Sequence, residues 1–233
     1  MAQLSSRLLL AAELLGFVDC VADIGTDHAL LPVYLVKNKL VKRVIACDIT
    51  EGPLSVAREN VIRKGVADSV LLRLANGLDA VKPEECNAVI IAGMGGETIS
   101  EIISRADWLK TYKQTLILQP MTADDKLREF LVSDGFKILI EKCTFSNGKV
   151  YTVIKAKYSG EKMAVSEGYY YIGEIFADTK SVGEAEIAFV KKHLKSMKKC
   201  LKEIEGVERR KALFERISTA VPFIEDKLKS INH

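Results

Sequence analysis

Residues 19–32 read DCVADIGTDHALLP, and this stretch decides the fold class. A short apolar run ends in an acid, Asp23, and leads through Gly25 into a segment with helical spacing. Residues 43–48, RVIACD, repeat the apolar run closed by an acid one helix later. Short apolar strands that alternate with helices are typical of a parallel sheet covered on both faces. The sequence therefore predicts a doubly wound α/β domain.

The alternation continues over the first two thirds of the chain. We predict strands at residues 19–23, 43–48, 69–74, 87–92, 115–119, 136–145 and 150–157, with intervening helices at 30–37, 53–64, 97–104 and 123–133. The last two strands have no helix between them and are joined through Asn147-Gly148, a strong hairpin signal. Seven strands with an antiparallel terminal pair are the shape of a Rossmann-like class I methyltransferase, whereas the nicotinamide-binding fold has six parallel strands.

The character of the sequence changes after Tyr158. Residues 159–162 are polar and lead into a region with only helical patterns. These patterns lie at 167–177, 184–205 and 208–217, and a further one at 221–231 either starts anew or continues past Pro222. We predict a sheet domain at residues 1–158 and an α-helical C-terminal domain at residues 159–233.

The composition is that of a folded, core-forming protein. Of the 233 residues, 48% are hydrophobic and 28% charged, and the net charge is +3, which excludes the pattern of disordered chains. The five cysteines form no CxxC pair, so we expect neither a disulfide framework nor a metal site. An amphipathic N-terminal helix and the lack of a run near ~20 apolar residues predict no membrane association. Reduced cysteines fit a cytoplasmic protein.

Polar residues follow the first two predicted strands, where ligands bind in a doubly wound sheet. The first loop lacks the glycines of G-x-G-x-x-G, which counts against a dinucleotide pyrophosphate. Asp23 would suit a cofactor whose amino-acid end carries an ammonium group, and Gly25 lets the backbone approach a ligand. Asp48 follows at about the spacing of a carboxylate that binds ribose hydroxyls. The alternatives are a plain turn at Gly25 and a surface acid at Asp48.

Two further loops end the third and fourth predicted strands. Asn76-Gly77 would lie where an adenine ring binds, although a plain Asn-Gly turn is the competing interpretation. Residues 93–96, GMGG, expose backbone beside the same crevice, and Met94 would pack on a base or on the cofactor. These glycines would equally suit a helix entry that packs closely. Gln119, at the end of the fifth strand, adds a polar side chain to that rim.

Five motifs occur in order along the chain: DIGTDHALLP, ACD, ANGL, IAGMGGETI and ILQPM. Together they resemble the bacterial tRNA (adenine-N1)-methyltransferase family that modifies position 22 of tRNA. The resemblance covers essentially the whole chain and implies a Rossmann-like domain with a coiled-coil-like helical C-terminal domain. It implies S-adenosylmethionine as methyl donor, S-adenosylhomocysteine as product and a tRNA adenine as acceptor. It implies cofactor binding by Asp23, Gly25, His28, Asp48, Asn76, Gly77, Gly93 and Met94, and an acidic active-site position at Asp27.

The implied chemistry agrees with the residues of these loops. Adenine N1 carries a free lone pair, so its methylation needs positioning more than a strong base. The Asp27 carboxylate would accept a hydrogen bond from the exocyclic amine and offset the charge that develops on the ring. Cytosine C5 methylation would need a cysteine, which these loops lack, and amino-directed adenine methyltransferases carry [DN]PP[YF] where this chain has GMGG. His28 would contact the cofactor or the base, or would be a helix-start histidine bound to backbone.

Outside the crevice, lysines recur at three- and four-residue spacings within the predicted helix at 184–205. Such a stripe can neutralise RNA phosphates, although a lysine run is more commonly a solvated helix face. With a tRNA substrate implied, we predict tRNA contacts at Gly95 and Gln119 in the crevice and at Lys191, Lys192, Lys195, Lys198, Lys199 and Lys202 on the helix.

Two other functions fit the same motifs. One is a methyltransferase acting on a small metabolite, against which the basic helical region argues weakly, because small substrates need a lid more than a phosphate track. The other is a non-catalytic RNA-binding module that retained the fold, against which the intact acids Asp23, Asp27 and Asp48 argue. The expected partner is tRNA, and the expected oligomeric state is a monomer or a weak dimer.

Overall fold

The computed structural model describes residues 4–178 and 182–231, so the outer ends of both predicted domains and residues 179–181 lie outside the described residues. A seven-stranded sheet has the order β3-β2-β1-β4-β5-β7-β6. Its strands are β1 (Val18–Ile24), β2 (Val41–Asp48), β3 (Val70–Leu74), β4 (Ala88–Gly95), β5 (Thr115–Thr122), β6 (Phe136–Ser146) and β7 (Lys149–Tyr158). β1 to β5 are parallel, and β7 is antiparallel to both β5 and β6. The predicted Rossmann-like α/β class with a terminal hairpin is confirmed.

Helices cover both faces of this sheet. They are α1 (Ser6–Leu15), α2 (Leu30–Lys37), α3 (Glu51–Arg63), α4 (Gly96–Ser104), α5 (Trp108–Tyr112) and α6 (Asp124–Ser133). Ala22 and Ile24 of β1 join one apolar cluster and Val21 joins the other, because successive side chains of a strand point to opposite faces. Burial of both faces explains why the central strands are near-continuous apolar runs. The sequence does not predict α5, whose five residues are too few to show a helical period.

The two central strands extend further than predicted. β4 continues to Gly95 and β5 to Thr122, whereas the sequence pattern ends them at residues 92 and 119. Their pairing shifts register around Met94, and Gly93 takes a φ of 83°, which glycine adopts because it has no Cβ. The GMGG loop is therefore an irregular continuation of the central strand.

The C-terminal region contains α7 (Glu167–Ile172), α8 (Glu184–Ile204) and α9 (Lys211–Ile231). The predicted helix at 167–177 is wrong in its second half, because Gly173 takes a φ of 50° and ends α7. Residues 208–210 form a 3-10 turn, and the helical patterns predicted at 208–217 and 221–231 join from Lys211 onward in one helix, α9, which contains Pro222. α8 and α9 pack as a hairpin, and Lys198 pairs with Glu225 across it.

A buried arginine joins the helical region to the sheet. Arg128 of α6 is fully buried, and its guanidinium binds the carboxylates of Glu141 at 2.7 Å and Asp124 at 2.8 Å. It also donates a hydrogen bond to the carbonyl oxygen of Tyr170 in α7, at 3.0 Å. A buried charge persists only when it is paired and hydrogen-bonded in this way. The helical region thus shares a polar core with β6 and α6.

Candidate active site

A cleft lies at the carboxyl ends of the strands, where the chain crosses from the edge strand β3 to β4 beside β1. Ligands bind at such switch points in doubly wound sheets. The cleft has a volume of about 270 Å³, and five predicted residues line it together: Gly25, Asp48, Asn76, Gly77 and Met94. α4 and its C-cap residue contribute four lining residues that the sequence does not single out: Thr98, Glu101 and Ile102 from the helix, and Arg105 from the cap.

Asp23 is the penultimate residue of β1, and only 4% of its surface is exposed. Burial raises the pKa of its carboxyl to about 6; Thr26 opposes this rise, and the negative charge of Asp48 adds to it. No cation pairs with Asp23 within the described ranges. A buried acid without a cation is costly in the free protein, and the ammonium group of a ligand would remove that cost.

The Asp48 carboxylate is almost fully occupied by the protein itself. Its Oδ1 accepts hydrogen bonds from the backbone N–H and the hydroxyl of Thr50, at 3.0 Å and 2.8 Å. Its Oδ2 accepts one from the backbone N–H of Asp27 at 3.1 Å. Because a carboxylate offers about four acceptor positions, one position on Oδ2 remains. Asp48 can therefore accept one ligand hydroxyl without any rearrangement.

The loop after β1 holds two non-glycine residues in the left-handed region. Asp27 has a φ of 51° and Ala29 a φ of 54°, a conformation that costs an L residue about 1–2 kcal/mol. The loop is anchored at Asp27 by Asp48 and at His28 by Asn60, whose amide donates to the His28 carbonyl oxygen at 2.9 Å. Strained backbone of this kind persists where the surroundings hold it, and it is frequent at functional sites.

The side chains of Asp27 and His28 are open to solvent, with 69% and 47% of their surfaces exposed. Nε2 of His28 lies 3.4 Å from Oδ1 of Asp27. Among the described residues no hydrogen bond joins the His28 ring to backbone, and the role of this histidine stays a prediction. Both side chains are accessible to a substrate at the start of α2.

Asn76 and Gly77 lie against α4. Oδ1 of Asn76 accepts a hydrogen bond from Arg105 at 3.1 Å, so the Asn76 amide N–H groups remain as donors. A methyl group at Gly77 would come within 3.0 Å of Ile102, and Gly77 has a φ of 63°. Arg105 therefore fixes which side of the Asn76 amide is free, and adenine binding at this pair stays a prediction.

The glycines around Met94 have different roles. A methyl group at Gly25 would lie 2.2 Å from Cε of Met94, so the flexible Met94 side chain rests on the first loop. A methyl group at Gly96 would lie 2.1 Å from the rigid carbonyl oxygen of Ala123, so packing requires this glycine. At Gly95 a methyl group would make only an ordinary 3.4 Å contact with Thr122, and the tRNA contact predicted there stays a prediction.

Arg7 of α1 also reaches this region, and the sequence analysis missed it. Its Nη1 donates to Oε1 of Gln119 at 2.7 Å, and a methyl group at Gly93 would lie 3.2 Å from the same nitrogen. The predicted position of Gln119 on the rim is wrong: it is fully buried, and its amide also donates to the Pro120 carbonyl oxygen. Gln119 holds Arg7, which pairs with no described carboxylate. The one available signal was that Arg7 is the single cation of α1.

The predicted lysine stripe lies on the exposed surface of α8. Five of its members line one groove with Leu194, namely Lys191, Lys195, Lys198, Lys199 and Lys202, while Lys192 lies outside it. Two are partly neutralised, because Lys198 pairs with Glu225 and Lys199 with Glu203. The stripe is therefore accessible to a polyanion but carries less unpaired charge than its sequence indicates.

The described residues contain neither a membrane-spanning helix nor a cluster of side chains that could hold a metal ion. Within residues 4–178 and 182–231, no helix is long and apolar enough to cross a membrane. The same residues contain no group of three or more His, Cys, Asp or Glu side chains arranged to hold a metal ion. Cys20, Cys47 and Cys143 are buried in the apolar clusters.

Comparison with known proteins gives a consistent result over the whole chain. A family model described as a methyltransferase domain matches residues 4–154. The chain is 31% identical to the tRNA (adenine(22)-N(1))-methyltransferase of Bacillus subtilis over 227 residues, which are 97% of this chain and 91% of that protein.

Solved structures agree with this match. The m1A22 tRNA methyltransferase TrmK of B. subtilis has a TM-score of 0.83 at 26% identity, over 98% of this chain and 100% of that one. TrmK of M. capricolum, solved with its cofactor product S-adenosyl-homocysteine, has a TM-score of 0.78 at 28% identity, over 98% and 99% of the two chains. By its methyltransferase domain and its end-to-end similarity to these proteins, the chain belongs to the tRNA (adenine(22)-N1)-methyltransferase family.

Proposed function

We propose that this protein transfers a methyl group from S-adenosylmethionine to N1 of adenine 22 in tRNA. One observation carries the proposal: Asp48, at the end of β2 in the cleft, binds the backbone of Asp27, so the cofactor cleft and the residue proposed for the target base form one unit. The family relationship supplies the substrate class.

The residues that line the cleft, together with Asp23, His28 and Gly93, which are not part of its lining, fit S-adenosylmethionine. The buried, unpaired carboxylate of Asp23 suits the ammonium of its methionine part, and the remaining acceptor of Asp48 suits a ribose hydroxyl. The free N–H groups of Asn76 suit a ring nitrogen of its adenine. Gly25, Gly77 and Gly93 carry no side chain of their own, but Met94, Ile102 and Arg7 lie against them, and displacement of Met94 would make room above Gly25. We also include His28 in this group.

The chemistry then follows from placement. When bound, S-adenosylmethionine supplies a methyl group on a positively charged sulfur. The N1 lone pair of adenine forms the new bond as the carbon–sulfur bond breaks, and the positive charge moves to the adenine ring. Asp27 would accept a hydrogen bond from the exocyclic amine and stabilise that charge. The protein mainly orients the two reactants, an effect that can supply about 7–11 kcal/mol.

The remaining site residues have supporting roles in this proposal. Gln119 acts on the substrate indirectly, by holding Arg7 beside Gly93, and Gly95 allows close approach of the RNA backbone. The exposed lysines of α8 contact tRNA phosphates. We also propose a domain boundary near residue 158, a cytoplasmic location, and a monomer or weak dimer as the working form.

The test uses methyl-labelled S-adenosylmethionine and an unmodified tRNA transcript with adenine at position 22. We expect a single labelled adenine, mapped by the block that an N1 methyl group imposes on reverse transcription. A transcript with guanine at position 22 is the control and should take no label. Absence of transfer at low salt would overturn the proposal, and tRNA binding without transfer would favour a non-catalytic RNA-binding module.

The role of Asp27 is tested separately. Asp27→Asn keeps a residue that tolerates the left-handed conformation, so the loop should keep its shape. We expect unchanged binding of S-adenosylhomocysteine and tRNA, with methyl transfer slower by at least about tenfold. A normal transfer rate would remove Asp27 from the mechanism.

A further inference from the structure

A groove separate from the cofactor cleft opens beside the first loop, between α2, α3 and the start of α1. Its volume of about 560 Å³ is about twice that of the cleft, and the two share no lining residue among those described. Its apolar surface comes from Leu4, Leu30, Val33 and Tyr34, and its rim carries Lys37, Arg63 and Lys64.

The charge of this groove is entirely positive. No carboxylate lines it, and none of its three cations has an ion pair with a carboxylate of residues 4–178 or 182–231. This differs from the α8 stripe, in which Lys198 and Lys199 have acidic partners. Unpaired cations around an apolar surface form a site for a ligand that has both an anionic and a flat apolar part.

The groove is tied to the catalytic loop. Leu30 directly follows Ala29, and buried Asn60 donates a hydrogen bond to the His28 carbonyl oxygen at 2.9 Å. The same Asn60 side chain accepts a hydrogen bond from Arg63. A ligand held by Arg63 would therefore lie at a fixed position relative to Asp27.

We propose that this groove binds an unpaired nucleotide of the substrate tRNA adjacent to the target adenine, with its base on Tyr34 and Leu30 and its phosphate on Lys37 and Arg63. This inference rests on the proposed function. Adenine N1 lies on the pairing edge, so the target must leave its partner, and neighbouring bases then lose their stacking contacts. Aromatic and apolar surfaces flanked by cations are what bind unpaired nucleotides.

The charge contacts are tested with matched double variants. Lys37→Gln with Arg63→Gln removes one lysine and one arginine from the groove, whereas Lys39→Gln with Arg58→Gln removes the same types from exposed positions outside it. Each phosphate contact contributes about 0.7–0.9 to the slope of log affinity against log salt. Because the two cations hold one phosphate, the groove variant should lower the slope for tRNA by about 0.7–0.9, with unchanged S-adenosylhomocysteine affinity, and the control should stay near wild type. Equal slopes for the two variants would overturn the proposal.

The base contact has its own variants. Tyr34→Leu should weaken tRNA binding about tenfold, because the stacking ring is lost, while Tyr34→Phe should stay near wild type. If Tyr34→Leu binds tRNA normally, no base lies on this surface. Suppose that the wild-type protein binds and methylates tRNA while every groove variant behaves as its control. That result refutes nucleotide binding in the groove and leaves the proposed function intact. A wild-type protein without tRNA methylation refutes the proposed function itself.

A measurement on the unaltered protein covers the case in which a variant loses its fold. Acetylation of lysine amines, read by mass spectrometry, should slow at Lys37 and Lys64 when tRNA is added and should not change with S-adenosylhomocysteine alone. Lys39 serves as the internal control and should be labelled equally in both states. Unchanged labelling of Lys37 and Lys64 with saturating tRNA would overturn the proposal.

Discussion

Replacement of Asp23 by asparagine is expected to stabilise the free protein and to weaken cofactor binding. The Asp23 side chain is buried, and its carboxyl has a pKa of about 6 against an ordinary value of 3.8. The folded protein therefore binds this proton more tightly than the unfolded chain, and the free energy of unfolding falls as the pH rises through this window. Each unit of difference between the folded and unfolded pKa corresponds to about 1.36 kcal/mol. The buried Asp23 carboxylate therefore lowers the free energy of unfolding by about 3 kcal/mol, and this loss is complete above about pH 6.

The pH dependence separates this effect from other consequences of the substitution. Asparagine brings a buried amide whose N–H groups need partners, which offsets part of the gain at every pH. The advantage of Asp23→Asn over wild type should nevertheless grow by about 1.4 kcal/mol between about pH 5 and about pH 7.5. Urea unfolding at the two pH values measures this growth. Asp27→Asn, which removes an exposed carboxylate from the same loop, is the control and should show no comparable growth.

Cofactor binding should change in the opposite direction. Loss of one partner of a buried, hydrogen-bonded charge pair costs about 2–5 kcal/mol, so S-adenosylhomocysteine should bind at least about 30-fold more weakly to Asp23→Asn. Isothermal titration measures this affinity. A stability advantage that is equal at both pH values would refute the reasoning about the buried charge. An unchanged affinity would remove Asp23 from the cofactor site.

Three further predictions concern the supports of the site. Arg128→Met should lower the free energy of unfolding by about 3–5 kcal/mol in urea, because the Glu141 carboxylate stays buried without its cation. Gly96→Ala should lower the melting temperature more than Gly25→Ala, because its methyl group meets a rigid carbonyl instead of a flexible methionine. Gly25→Ala should mainly weaken S-adenosylhomocysteine binding. A larger loss of melting temperature in Gly25→Ala would contradict the packing argument. The effects of Arg7→Gln and Gln119→Leu on kcat/KM for tRNA should not add in the double variant, and the coupling free energy should be about 0.5–3 kcal/mol. Additive effects would mean that Gln119 does not act through Arg7.

The sequence predicts those parts of the site that depend on local pattern. Asp23 and Asp48 each close an apolar strand, and parallel strands bring their carboxyl ends to one edge, so the neighbouring positions of these two acids follow from periodicity. Their environments do not follow from it. Asp23 is buried without a cation, and three acceptor positions of Asp48 bind groups of the protein itself. Both features depend on side-chain packing, which the sequence pattern does not show.

Contacts between distant segments could not be predicted from the sequence for a related reason. Arg7 and Gln119 are 112 positions apart, and they meet because α1 packs against β4 and β5. Gln119 ends the predicted strand just as Asp48 does, yet β5 continues to Thr122 and α1 packs against this strand, so Gln119 is buried. Gly173 shows the same limit at a boundary: tertiary contacts with Arg128 and Glu141 hold it in the left-handed region that ends α7.

Asp48 connects the two halves of the proposed reaction. Its Oδ2 holds the backbone N–H of Asp27, a residue in a conformation that an L side chain adopts at a cost, and the same oxygen keeps the acceptor position proposed for a ribose hydroxyl. A ribose bound there would restrict the motion of this carboxylate and thereby of the Asp27 loop. Since Asn60 anchors the next residue, His28, and also binds Arg63, the restriction would extend to the rim of the groove proposed to bind RNA. Cofactor binding would then prepare the loop for the target base, because the ordering of Asp27 is accomplished before the RNA arrives.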